Sequence, residues 1–189
     1  IIPKMVKAGL AHAHPFNLSC VRNRGHEHCC YWRDVGTLDS YWRTHMDLVT
    51  EHPQLNLFDN YWPIRGLPTQ SMPAKFFYKD KTGRTLDNSL INGGCIITDA
   101  QITSSVLFGR VTVEEGSTID SAVILPNVSI GKNCHLKNCI IERSCVIPDG
   151  MQIGINPEED AKYFRISSSG QVVLVTPDML RNREQVEAA

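Results

Sequence analysis

No stretch of this 189-residue chain is apolar for long enough to cross a bilayer as a helix. No signal peptide opens it either. An excess of either charge is also missing: 19 Lys and Arg stand against 20 Asp and Glu. Without a basic stripe there is no electrostatic footprint for nucleic acid, so neither nucleic acid nor membrane is expected as a partner. An even set of cysteines is missing too, since there are seven. Four of them, Cys95, Cys134, Cys139 and Cys145, recur at one position of a repeat, where a free thiol serves as a compact hydrophobe. Reduced thiols and a cytoplasmic location are the expectation. The chain begins Ile1-Ile2-Pro3-Lys4 without an initiator methionine, which reads as the interior of something longer.

What is present is a repeat. Eleven times between Cys95 and Ile153 an apolar residue follows two positions after a small or β-branched one, with a period of five or six. The series runs from Cys95/Ile97, Ala100/Ile102 and Ser105/Leu107 to Cys145/Ile147 and Met151/Ile153. A hexapeptide period marks a parallel β-helix, each hexad making one short strand and one corner. The aliphatic member points inward and stacks on its counterpart one coil away, coils being spaced by about 4.8 Å. Eleven faces make roughly three and a half coils, a short solenoid with two ends to cap.

Around the solenoid the sequence divides into four parts. Residues 1–55 read as α/β, with a helical stretch at 1–11, an extended segment from His14 to Val21, and a polar loop at 22–28. From Leu38 the apolar residues Leu38, Tyr41, Trp42, His45, Leu48 and Val49 fall on one helical face. Thr37 is the natural N-cap, and Asp39 lies in the first turn where the helix dipole favours it. Residues 56–88, rich in Pro, Asn and Gly, read as a linker. The solenoid follows at 89–155. In the tail, 156–189, Asn156-Pro157-Glu158-Glu159 opens a helix, 163–166 and 172–175 suggest a hairpin, and Thr176-Pro177-Asp178 opens a last helix. These elements would cover the apolar end of the solenoid.

The densest candidate for chemistry is Tyr31-Trp32-Arg33-Asp34-Val35-Gly36-Thr37. Pattern alone favours structure: aromatics packing a strand, a carboxylate at its end, Gly turning and Thr capping. The sharper reading sets Asp34 beside a pocket, as a hard oxygen ligand for Mg²⁺ bridging phosphates.

The wording of that segment resembles glucose-1-phosphate adenylyltransferases, the bacterial ADP-glucose pyrophosphorylases. So do Leu-Asn-Leu-Phe-Asp-Asn-Tyr-Trp-Pro-Ile-Arg at 55–65, Asn-Ser-Leu-Ile-Asn-Gly-Gly-Cys-Ile-Ile at 88–97, Ser-Ala-Val-Ile-Leu-Pro-Asn-Val at 121–128 and Cys-Val-Ile-Pro-Asp-Gly at 145–150. The resemblance covers essentially the whole chain, with its motifs in order. It implies a mainly β fold: a left-handed parallel β-helix preceded by the last piece of an α/β nucleotidyltransferase domain. It implies a parent enzyme making ADP-glucose and pyrophosphate from ATP and glucose 1-phosphate for glycogen synthesis. It makes Asp34 one of two carboxylates on the catalytic Mg²⁺ and puts Trp32 at the glucose-phosphate side of the pocket. The family's Gly-rich nucleotide loop, its first metal carboxylate and its sugar-phosphate lysine have no counterpart here, so the chain alone is expected to be inactive.

The resemblance also implies regulation. Arg143, in Ile-Glu-Arg-Ser-Cys-Val, occupies a position tied to control by a sugar bisphosphate activator and AMP. Arg181, after Thr-Pro-Asp-Met-Leu, matches a second effector arginine; the guanidinium fork suits phosphate. The bland reading of Arg143 is an exposed corner residue. Pro177 stands where enteric members carry another basic residue. Members assemble as homotetramers through such solenoids.

Two rival readings remain. His135, alone among solenoid residues, could be the base of a hexapeptide acyltransferase, although no acyl-carrier loop accompanies it. A purely structural oligomerisation solenoid is the other. His26-Glu27-His28-Cys29-Cys30 invites a metal reading but lacks paired zinc spacing, and a solvated loop is preferred.

Overall fold

In the computed structural model of the chain, the described residues are 1–20, 30–60, 63–64, 66, 70–78 and 86–187. Two compact units emerge: Ile1–Trp32 with Gln54–Arg65, and Arg33–Pro53 with Gly66–Ala189. The first contains helix α1 (Ile2–Lys7), with proline in its first turn. A 3₁₀ turn at Phe16–Leu18 replaces the extended segment expected from His14. Pro15, with φ at −63°, leads directly into that turn, which closes when Ser19 N–H donates to the Phe16 carbonyl.

The second unit holds helix α2 (Leu38–Leu48) and the solenoid. Strands β1 (Lys75–Phe77), β2 (Leu86–Asp87) and β3 (Leu90–Ile91) form the first coil. The second is β4 (Ile96–Thr98), β5 (Gln101–Thr103) and β6 (Val106–Leu107); the third is β7 (Thr112–Val113), β8 (Thr118–Asp120) and β9 (Val123–Ile124). The fourth is β10 (Ser129–Ile130), β11 (His135–Lys137) and β12 (Cys139–Ile141). β13 (Val146–Ile147) and β14 (Gln152–Ile153) begin the fifth. The chain then leaves for α3 (Pro157–Tyr163) and β15 (Arg165–Ile166). It returns as β16 (Val173–Val175), and helix α4 (Pro177–Glu187) ends the described tail.

Parallel pairing stacks like on like. Ile97, Val113, Ile130 and Ile147 align on one face. Ile102, Ile119, Leu136 and Ile153 align on the second. Leu107, Ile124, Ile141 and Val175 align on the third. Both members of every one of the eleven pairs are buried. Each aliphatic so removed from water contributes on the order of 1.5–3 kcal/mol. The two polar members are satisfied. Ser105 Oγ donates to the Thr103 carbonyl at 2.6 Å and accepts the Ala122 N–H at 3.0 Å, and Ser117 does the same with Gly131 and Cys134. Corners turn through left-handed residues such as Asp99, Ser104, Ser121, Asn127, Asn133 and Asn138, whose short polar side chains tolerate positive φ.

Each face thus carries five parallel rungs, more than the three and a half coils that the hexads imply. The extra rungs lie outside the regular run of hexads, although Ser89/Ile91 at β3 and Val173/Val175 in β16 keep the spacing of two. β1 begins inside the Pro/Asn/Gly-rich segment, with Phe76 aligned on Ile97. β16 supplies the last rung of the third face and pairs antiparallel with β15, the hairpin expected from the tail.

The third face differs from the others on its outside. Val106, Val123, Ile140 and Leu174 line up there, where the second face presents Gln101, Thr118, His135 and Gln152. An apolar outer face must be covered, and α2 covers it. Leu38, Tyr41, Trp42 and Met46 pack against Val123, Ile140 and Val172. Trp42 Nε1–H donates to the Ser121 carbonyl at 2.7 Å, so the half-buried indole has its polar atom satisfied.

Candidate functional site

Asp34 stands three residues before the α2 cap. Its Oδ1 accepts the Gly36 N–H at 3.0 Å, a local turn that feeds Thr37 into its cap position. Thr37 and Ser40 then form a reciprocal capping box. The Asp34 side chain is exposed, and among the described residues its Oδ2 makes no hydrogen bond. One oxygen is therefore oriented by the backbone while the other faces water. That donor fits a hard cation such as Mg²⁺ as a single ligand. Further ligands would have to come from elsewhere, because no group of three or more His, Cys, Asp or Glu among the described residues could hold a metal.

Trp32 belongs to the other unit and is 66% exposed.

Immediately after Asp34 the chain enters a groove of about 650 Å³. Val35, Gly36 and Thr37 form one wall; Ile140 and Glu142 belong to the third solenoid face, and Arg165 to Ser168 come from the hairpin. The nearest neighbours of Asp34 and of Arg143 thus line one cavity. Arg143 itself is exposed, two residues beyond Ile141, and makes no ion pair among the described residues. Ile141 pairs with Val175, and Pro177 opens α4 two residues beyond that. Arg143 and the start of α4 thus each lie two residues beyond one strand pair. Arg181 is exposed and ion-pairs with Asp178 one turn back, a surface pair that costs little to exchange for a phosphate. Arg165 is a groove residue that sequence reasoning missed; a single arginine in a two-residue strand carries no pattern.

His135 lies on the outer second face, with Nδ1 2.8 Å from Thr118 Oγ1. It borders a separate depression of about 360 Å³ with Asp120, Lys137 and Gln152, where Lys137 pairs with Asp120 at 3.8 Å. His26, His28 and Cys29 of the candidate metal loop fall outside the described residues; Cys30 is exposed.

The solenoid thiols are free and buried. Burial raises the Cys95, Cys134, Cys139 and Cys145 thiols. Cys145 is pushed up to about 12, with the Glu142 charge adding to burial. No helix among the described residues is long and apolar enough to cross a membrane.

Residues 72–175 match the family described as GlmU-like, C-terminal hexapeptide. The chain belongs to that family. Its hexapeptide solenoid and flanking elements are 58% identical, over 181 residues, to the glucose-1-phosphate adenylyltransferase of Haemophilus influenzae strain 86-028NP. That alignment covers 96% of this chain and 41% of the relative. The enzyme of the same name from Pasteurella multocida is 57% identical over all 189 residues, 43% of its length. That from Mannheimia succiniciproducens is 53% identical over 180 residues, 95% of this chain and 41% of the relative. The chain therefore spans about two-fifths of these relatives and matches their C-terminal portion.

Proposed function

We propose that this hexapeptide chain serves an enzyme that joins ATP and glucose 1-phosphate into ADP-glucose and pyrophosphate, in the cytoplasm and for glycogen synthesis. The observation that carries the reading is the groove bounded by the Asp34 turn on one side and by the Arg143 and hairpin segments on the other. Identity of 53–58% to adenylyltransferases over nearly the whole chain supports it.

In the reaction, a glucose 1-phosphate oxygen attacks the α-phosphorus of ATP in line and pyrophosphate departs. A Mg²⁺ ion held in part by Asp34 would supply neutralisation of the phosphate charge. Asp34 offers that ion a carboxylate pre-oriented by Gly36, so little reorganisation is needed when it engages. Trp32 offers a rigid apolar face to the sugar phosphate. Catalysis of this kind is mainly positioning and electrostatics. The chain itself holds one of the needed ligands and is inactive alone.

Arg143 and Arg181 receive the phosphates of a sugar bisphosphate activator or of AMP. Arg143 follows β12 and Arg181 follows its partner strand β16, and that pairing supports a shared site. The polar outer columns of the solenoid serve subunit contacts in a homotetramer.

The test uses the full-length enzyme carrying this sequence. Asp34→Asn keeps the acceptor for Gly36 and removes the charge. Turnover should fall by about two orders of magnitude or more with folding intact. Near-normal turnover would remove Asp34 from the metal. Arg143→Ala should blunt activation by fructose 1,6-bisphosphate while sparing unactivated turnover; an unchanged activation curve would remove it from the effector site.

A further inference from the structure

The segment that follows the Asp34 turn and the regulatory tail meet in a polar contact between Asp39 and the hairpin. Ser169, at the tip of the β15–β16 hairpin, donates through its hydroxyl to Asp39 Oδ1 and through its backbone N–H to Oδ2 at 3.3 Å. Both carboxylate oxygens of one residue are thus engaged by one partner 130 residues away.

The hairpin tip is tied by its own hydrogen bonds. Ser169 Oγ lies 3.2 Å from Ser167 Oγ and accepts the Gln171 N–H at 3.2 Å. Ser167 is buried and accepts the Val172 N–H at 3.1 Å. From there the chain runs straight into β16, which pairs with β12 beside Arg143 and continues into α4 with Arg181. On the other side, Asp39 sits in the first turn of α2, and the capping box at Thr37 ties that turn to Gly36 and Asp34. This contact gives a displacement of β16 a polar route to the Asp34 turn.

We propose that Asp39 and Ser169 are a positioning pair, through which the solenoid tail sets the orientation of the Asp34 carboxylate and passes effector occupancy to it. The inference rests on the reading of Asp34 as metal ligand and names how that site is regulated. The pair suits the task because it is solvent-accessible: its two bonds exchange with water at little cost, so a modest force on the hairpin can release them. A carboxylate serving only the helix dipole would need no partner from the tail.

Ser169→Ala decides between these roles, since it leaves the Asp39 charge at the helix start and removes the hydroxyl. The first readout is amide exchange without metal or substrate. Gly36, whose N–H is held by Asp34, should exchange faster by roughly threefold in Ser169→Ala. The second is the full-length enzyme, where half-saturating Mg²⁺ should rise by roughly threefold and activation by fructose 1,6-bisphosphate should fall by about half. Asp39→Ala should match it, and the double variant should be no worse than either alone. Unchanged Gly36 exchange with unchanged Mg²⁺ dependence and activation in Ser169→Ala would overturn the pair. Should Asp39→Ala fail to fold, Ser169→Ala, at an exposed turn, still decides the matter. Asp34→Asn run alongside separates the failures: an active Asp34→Asn refutes the metal ligand itself, whereas an inactive one with a silent Ser169→Ala refutes only the coupling.

Discussion

Val175 lies beside Ile141 in parallel register although it follows 34 residues later, whereas Ile124, on the other side of Ile141, precedes it by 17. One coil length of chain has been spent on α3 and β15 before the third face receives its last rung. The tail is therefore part of the core. Phe164 and Leu180 from the tail are buried in the same cluster as the solenoid aliphatics. Leu180→Ala should cost about 2–5 kcal/mol, the usual range for a cavity in a packed site. In thermal unfolding this appears as a midpoint several degrees lower; an unchanged midpoint would mean that α4 is peripheral.

Gly154 tests the corner geometry. Its φ is +76°, and a Cβ there would come within 1.7 Å of the Lys137 carbonyl oxygen, which is backbone and cannot swing away. Gly150, with φ +73°, has open space around the same position. Gly150→Ala should therefore cost only the conformational penalty, about 1 kcal/mol. Gly154→Ala should cost more than about 3 kcal/mol, because a rung must move. Denaturant midpoints compare the two, and equal losses would contradict the clash.

Two carboxylates should give stability opposite dependences on pH. Asp160 is buried where α3 meets the solenoid, and burial raises its carboxyl above the ordinary 3.8 despite the Gly154 N–H bond at 3.0 Å and the Arg183 charge. A raised carboxyl holds its proton more tightly folded than unfolded. Its favourable contribution is present at low pH and is lost as pH rises through the folded value. Asp39 is lowered, first by the Ser169 and Ser167 hydroxyls, so its contribution is present above 3.8 and lost as pH falls. Asp160→Asn, which retains an acceptor for Gly154, should gain stability relative to the native chain between about pH 4 and pH 7. Asp39→Asn should lose over the same interval. Unfolding at several pH values reads both, and parallel curves would contradict the assignment.

Much of this architecture is legible in the residues. The alternation of Cys95, Ala100, Ser105 and their kin with aliphatics two positions on leaves few options but a hexapeptide solenoid, and all of those side chains are buried. The Thr37 and Asn156 caps stand where their residue types place them. The first strand of the first coil is not legible, because Lys75-Phe76-Phe77 puts a large ring where later coils put a branched aliphatic. The role of β16 is hidden by the excursion that separates it from its coil. The docking of α2 leaves a signal that inward periodicity overlooks: Val106, Val123 and Ile140 are apolar at outward positions, and only a covering element accounts for that. At the site, Asp34 and Arg143 stand out through wording and chemistry. That their neighbours share a groove follows only from register and from the α2 contact.

The most direct test of the account is pyrophosphate release by the full-length enzyme with glucose 1-phosphate, comparing ATP with UTP and dTTP, each with and without fructose 1,6-bisphosphate. The account predicts strong preference for ATP and activation by the bisphosphate. Preference for another nucleotide, or no release from any, would contradict it and leave the hexapeptide chain as an architecture shared with enzymes of other chemistry.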